Sequence, residues 1–105
     1  MLTQLLETLQ NLAAPADKQI EYLDGMQVQE LVWEFMDASD NLDILVEDGL
    51  LTTETYQAIK LLKAKVARLN NSQNQCSHEA LKTSPDWQQV RQLAKQILNR
   101  LDDTL

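Results

Sequence analysis

Leu2, Leu5, Leu6, Leu9 and Leu12 recur at steps of three and four residues, which gathers them on one face of a helix. This spacing predicts a first amphipathic helix ending near Ala13 or Ala14. Pro15 suits the first turn of a second, short helix, where a missing N–H costs no hydrogen bond, and Asp17 lies near its positive end. Ile20 and Leu23 would then face inward, and Gly25 stands where a helix C-cap favours a residue without a Cβ.

Val28, Leu31, Val32, Phe35 and Met36 begin the strongest pattern in the chain. The same steps continue through Ser39, Leu42, Leu45 and Val46 until Gly49. One helix from about Gln27 to Asp48 accounts for the whole run, although the polar stretch Asp37 to Asn41 leaves room for a kink or a break. Thr52 is a good N-cap, with Glu54 in the first turn that follows. Tyr56, Ile59, Leu62, Val66 and Leu69 form the next inward stripe, and Lys63, Lys65 and Arg68 lie towards its negative end.

Asn70 to Gln75 contains no apolar residue and reads as an exposed loop. Ser77 can cap one turn holding Ala80 and Leu81. Ser84–Pro85–Asp86 is a sharp start signal, joining an N-cap serine, a proline at the first helical position and an acid. Trp87, Val90, Leu93, Ala94, Ile97, Leu98 and Leu101 follow at helical spacing. The expected fold is all-α: a single antiparallel bundle-like domain over residues 1–105. It has four main helices plus one or two short ones, with an exposed loop at about 70–76.

Composition supports that outline. The 105 residues are 44% hydrophobic, enough for a core, and two Gly and two Pro are too few for a sheet of many tight turns. The formal charge of −7 disfavours nucleic acid and anionic membranes as partners and favours a basic protein. Lys60, Lys63, Lys65 and Arg68 cluster in one segment and Arg91, Lys95 and Arg100 in another, but neither group outweighs the acidic balance. No stretch approaches the roughly 20 apolar residues of a membrane span, and the first ten residues lack a secretory pattern, so a cytoplasmic protein is expected.

The chemistry of catalysis is thin. His78 is the only histidine and Cys76 the only cysteine, two residues apart beside a polar loop, which is a poor way to hold a nucleophile against its base. No thiolate metal site, intrachain disulfide or Gly-rich phosphate loop can be written. Glu34-x-x-Asp37 and Glu21-x-x-Asp24 faintly resemble the magnesium-holding carboxylate pairs of all-α nucleotide pyrophosphatases, without the two glutamates of that family's first motif. No catalytic residue, cofactor or metal ligand is assigned, and the chain is read as non-enzymatic.

One surface feature remains. On a wheel of about 100° per residue, Trp33, Asp37, Asp40, Ile44, Glu47 and Asp48 fall opposite the apolar stripe of the third helix. Two large apolar side chains in a band of carboxylates suit a protein-binding face. The competing expectation, to which a long central helix inclines, buries Trp33 and Ile44 under the first helix or the C-terminal segment. Trp87, in line with Val90 and Ala94, is expected in the core, and Tyr22 at its edge with the hydroxyl in water.

Three stretches, PADKQIEYL (Pro15 to Leu23), ELVWEFMDASDNLDILVEDGLLT (Glu30 to Thr52) and EALKTSPDWQQVRQLAKQIL (Glu79 to Leu98), together resemble a set of small helical bacterial proteins. Some of those look like immunity proteins of polymorphic toxin systems. The resemblance covers about half of the chain and transfers no catalytic residue. It implies an inhibitor that blocks a toxin's active site, with the acidic face from Asp37 to Asp48 as the contact. A self-associating adaptor, such as a homodimer, is the alternative, and a magnesium-dependent pyrophosphatase the third.

Overall fold

The computed structural model describes residues 2–40, 42–71 and 77–104. Seven helices run through them, with no strand among the described residues. These are α1 (Leu2–Ala13), α2 (Ala16–Leu23), α3 (Gln29–Ala38), α4 (Leu42–Glu47), α5 (Thr53–Asn70), α6 (His78–Thr83) and α7 (Pro85–Thr104). The Cα radius of gyration is 13.3 Å, close to the ~13 Å of a compact chain of this length.

Most of the expected boundaries are present with their chemistry. Thr52 Oγ1 accepts from the Thr55 N–H at 3.2 Å, and Ser77 Oγ accepts from the Ala80 N–H at 3.0 Å. Ser84 Oγ accepts from the Asp86 N–H at 3.2 Å at the head of α7. After α4, Gly49 (φ +76°) turns the chain: its N–H meets Val46 O at 3.0 Å and the Leu50 N–H meets Leu45 O at 2.9 Å. That pairing is the Schellman closure, which a side chain at Gly49 would strain. At the end of α2 the left-handed residue is Asp24 (φ +43°), one position earlier than expected, with Gly25 following at φ +90°. Aspartate tolerates this region because its short polar side chain supports it locally. Of the expected loop, Asn70 ends α5, Asn71 is an exposed turn residue, and 72–76, including Cys76, lie outside the described residues.

The long helix expected from Gln27 to Asp48 is instead two helices. α3 closes at Ala38, and Ser39 explains much of the closure. Its hydroxyl donates to Phe35 O at 2.7 Å and to Met36 O at 3.2 Å, taking up carbonyls near the end of the helix. The Ser39 carbonyl in turn accepts from Lys63 Nζ of α5 at 3.3 Å, so the break is tied to a neighbouring helix. The Asp40 N–H reaches back to Asp37 O at 3.3 Å in a tighter turn, and α4 resumes at Leu42. This division makes α4 a third short helix beside α2 and α6, one more than the one or two expected.

One continuous core joins the elements. Leu5, Leu9 and Leu12 of α1, Leu31, Val32 and Phe35 of α3, Ile59, Leu62 and Val66 of α5, and Trp87, Val90, Ala94 and Ile97 of α7 are all buried. α1 packs most extensively on α7 and also on α3, while α5 packs on α7 and α3. Burying one face of each helix removes apolar area from water at about 25 cal/mol per Å² and leaves the opposite faces to be read for function.

Candidate functional site

α3 buries Leu31, Val32 and Phe35, which turns the residues between them outward. Glu30, Trp33, Glu34 and Asp37 stand at relative positions 0, 3, 4 and 7, one face of two helical turns. Trp33 is 48% exposed, and the structure thereby corrects the expectation that it lies in the core. Around it is an open depression of about 410 Å³ lined by Glu30, Trp33, Glu34, Met36, Asp37 and Asp40.

A second depression, about 290 Å³, adjoins the first. It is lined by Gln4, Glu7, Thr8 and Asn11 of α1, Tyr22 of α2, and the shared Glu34 and Asp37. The Tyr22 hydroxyl donates to Glu34 Oε2 at 2.7 Å rather than only to water. That bond raises the Tyr22 pKa above its ordinary 10.0, helped by partial burial and by the charges of Glu34 and Glu7, with a small opposing pull from Asn11. The folded chain therefore holds this proton to higher pH than the unfolded chain. The stabilisation is complete below about pH 10 and fades as pH rises through the folded value. An alkaline absorbance titration of Tyr22 should move to lower pH in Glu34→Gln. An unmoved midpoint would mean the bond does not govern the proton.

Of the six residues expected at a binding face, the structure brings Trp33, Asp37 and Asp40 together. Ile44, Glu47 and Asp48 are also exposed, Ile44 at 45%, again against a core location. They sit on or just beyond α4 and line neither depression, because the break near Ser39 interrupts the angular phase that one wheel assumed. Glu30 and Glu34 were overlooked as parts of this face, although each lies within about one turn of Trp33. Glu7 and Tyr22 arrive from other helices and had no signal in the α3 pattern.

Charge is left open here. No basic residue lines either depression, and among the described residues none of Glu7, Glu30, Glu34, Asp37 or Asp40 is in an ion pair. Several cations are engaged elsewhere. Lys18 pairs with Glu21 at 3.6 Å, Arg100 with Glu54 at 3.8 Å, and Lys60 Nζ lies 5.2 Å from the Tyr56 ring centre. Arg91 Nη1 donates to Gln19 Oε1 and Leu81 O, and partial burial lowers its pKa without removing a guanidinium charge at neutral pH.

Chemically, the arrangement offers a half-exposed indole, a polarised tyrosine and a band of acceptors. Glu34 and Asp37 face an open surface, and among the described residues no group of three His, Cys, Asp or Glu is placed to hold a metal ion. His78 is exposed at the start of α6. Among the described residues no helix is long and apolar enough to cross a membrane. Comparison of this chain with family models, curated proteins and solved structures finds no match.

Proposed function

We propose that this chain is a non-enzymatic binding protein, an acidic immunity-type inhibitor that covers the working surface of a basic toxin partner. The reading assumes an antiparallel bundle-like scaffold presenting α3 outward in a cytoplasmic protein. The observation that carries it is Trp33, about half exposed and ringed by Glu30, Glu34, Asp37 and Asp40 with no lining cation. An exposed Trp is a typical anchor of an interface, and surrounding like charge steers an opposite partner and fixes its orientation. The exposure of Trp33 and the carboxylates lining the depression beside it support centring the face on α3 rather than on α4.

Capture from lysate of the native cell on the immobilised chain, with mass spectrometry, tests this reading. Trp33→Ala combined with Asp37→Lys should reduce recovery of the specific partner by at least about 100-fold, as expected for a central anchor and a reversed charge. The double variant should keep the parent's helical circular dichroism. Glu47→Lys on α4 should reduce recovery only slightly. Undiminished capture by the double variant would remove α3 as the contact.

A second reading, a self-associating adaptor, is favoured by Leu61, exposed on α5 outside the inward stripe. It requires a concentration-dependent rise in mass by sedimentation equilibrium that Leu61→Lys abolishes.

A further inference from the structure

Trp33 stands alone among the large apolar side chains of α3, for Leu31, Val32 and Phe35 are buried while it keeps about half its surface in water. Indole has much apolar area to gain from a partner, and its face attracts cations more strongly than other aromatic rings do. The ring of carboxylates around it adds a second requirement, positive charge. A ligand that meets both must offer a flat surface and a cation in one group. Guanidinium does so: it is planar, stacks on aromatic faces and meets carboxylates with two parallel N–H bonds. An ammonium supplies the charge alone and holds its water more tightly.

The second depression offers room for more of such a ligand. It shares Glu34 and Asp37 with the first and continues onto Glu7 of α1 and Tyr22 of α2. Glu34 and Asp37 therefore border two anionic recesses. We propose that the partner docks through two arginine side chains of one basic segment. One stacks on Trp33 and the other enters the recess between α1 and α3. The footprint crosses α3 towards α1 and leaves α4 uncovered. This inference rests on the binding-face reading above and specifies the chemistry that the face selects. The charge of −7 on the whole chain works in the same direction, drawing a cationic segment in and repelling a second copy.

The test is a titration of the whole chain with a short acetylated peptide of alternating arginine and alanine, followed by amide and indole N–H resonances. The same peptide with lysine, and with citrulline (planar but uncharged), completes the set. The arginine peptide should shift the Trp33 indole resonance and the amides of Glu7, Tyr22 and Glu34, leaving Ile44 and Glu47 unmoved. It should bind about tenfold tighter than the lysine peptide, with citrulline weakest. Trp33→Ala should erase the preference for arginine over lysine, and Glu7→Lys should weaken binding about as much as Asp40→Lys. Equal binding of the arginine and lysine peptides would overturn the proposal. So would shifts centred on α4, or a self-association that covers Trp33 without peptide. If arginine shows no preference while Trp33→Ala with Asp37→Lys still abolishes capture of the native partner, this inference falls and the binding-face reading stands.

Discussion

Trp87→Ala is expected to lower the free energy of unfolding by about 3–5 kcal/mol, the usual cost of emptying a buried aromatic site. Trp87 is 0% exposed, so the whole side chain leaves a hollow rather than a water-filled notch. It lies near the head of α7, directly after the Ser84–Pro85–Asp86 start. α7 is packed against α1, α5 and α6, and those contacts prevent simple collapse of the helix into the space. Such a loss is a large part of the stability expected for a domain of this size, and the thermal midpoint should fall by more than about 10 °C. Urea melts followed by circular dichroism measure it. Trp87→Phe, which keeps a ring in place, should cost less than half as much. A loss below about 1 kcal/mol in Trp87→Ala would mean that the site collapses freely or was never packed. The same variant leaves Trp33 as the sole indole, so its fluorescence should become that of a solvated tryptophan and respond to peptides on the α3 face.

The contrast between the two tryptophans marks how far the sequence could be read. Trp87 shares a stripe with Val90 and Ala94, and the stripe itself placed it in the core. Trp33 sits off its stripe, which leaves it either on the surface or under a second layer, and periodicity contains no information about a second layer. The inward positions of α5 were legible for the same reason, and Leu61, outside that stripe, is exposed. What periodicity could not resolve was where backbone stops. Ser39 continues the apolar spacing of α3 and is 1% exposed, so it behaves as a core position in the pattern while its hydroxyl helps close the helix. Lys63, twenty-four residues later, holds the broken end. A local pattern cannot register a partner that distant. Carried through the break, the wheel joined Ile44, Glu47 and Asp48 to Trp33, although they line neither recess beside it. Glu7 and Tyr22 belong to the candidate face for the opposite reason, through the packing of α1 and α2 beside α3.

Gln19→Met is expected to cost about 2–4 kcal/mol although it is close to isosteric and adds no strain of its own. Gln19 is polar, yet only 1% exposed, and the sequence offers no reason to place it inside. Its amide nitrogen donates to Asn11 O at 3.1 Å and Leu12 O at 3.0 Å. Both carbonyls belong to the last turn of α1, where the helix has no N–H left to give them. Gln19 is thus a C-cap for α1 supplied by α2. Its oxygen accepts from Arg91 Nη1 at 3.0 Å, and the same nitrogen reaches Leu81 O at 2.9 Å, so one guanidinium ties α7 to α2 and α6. Methionine keeps the volume but orphans two carbonyls, each worth about 1–3 kcal/mol if it stays dry. Arg91→Met should cost less, about 1–2 kcal/mol, because the two bonds it loses are only part-buried. The double variant should cost less than the two single losses combined, since each single change strands a group whose partner the other would remove. Urea melts of the four proteins supply the cycle. Strict additivity would show that the Gln19–Arg91 bond carries no coupling. In that case α2 and α7 are held together by their apolar neighbours alone, and the acidic recess between α1, α2 and α3 would keep its shape without the arginine.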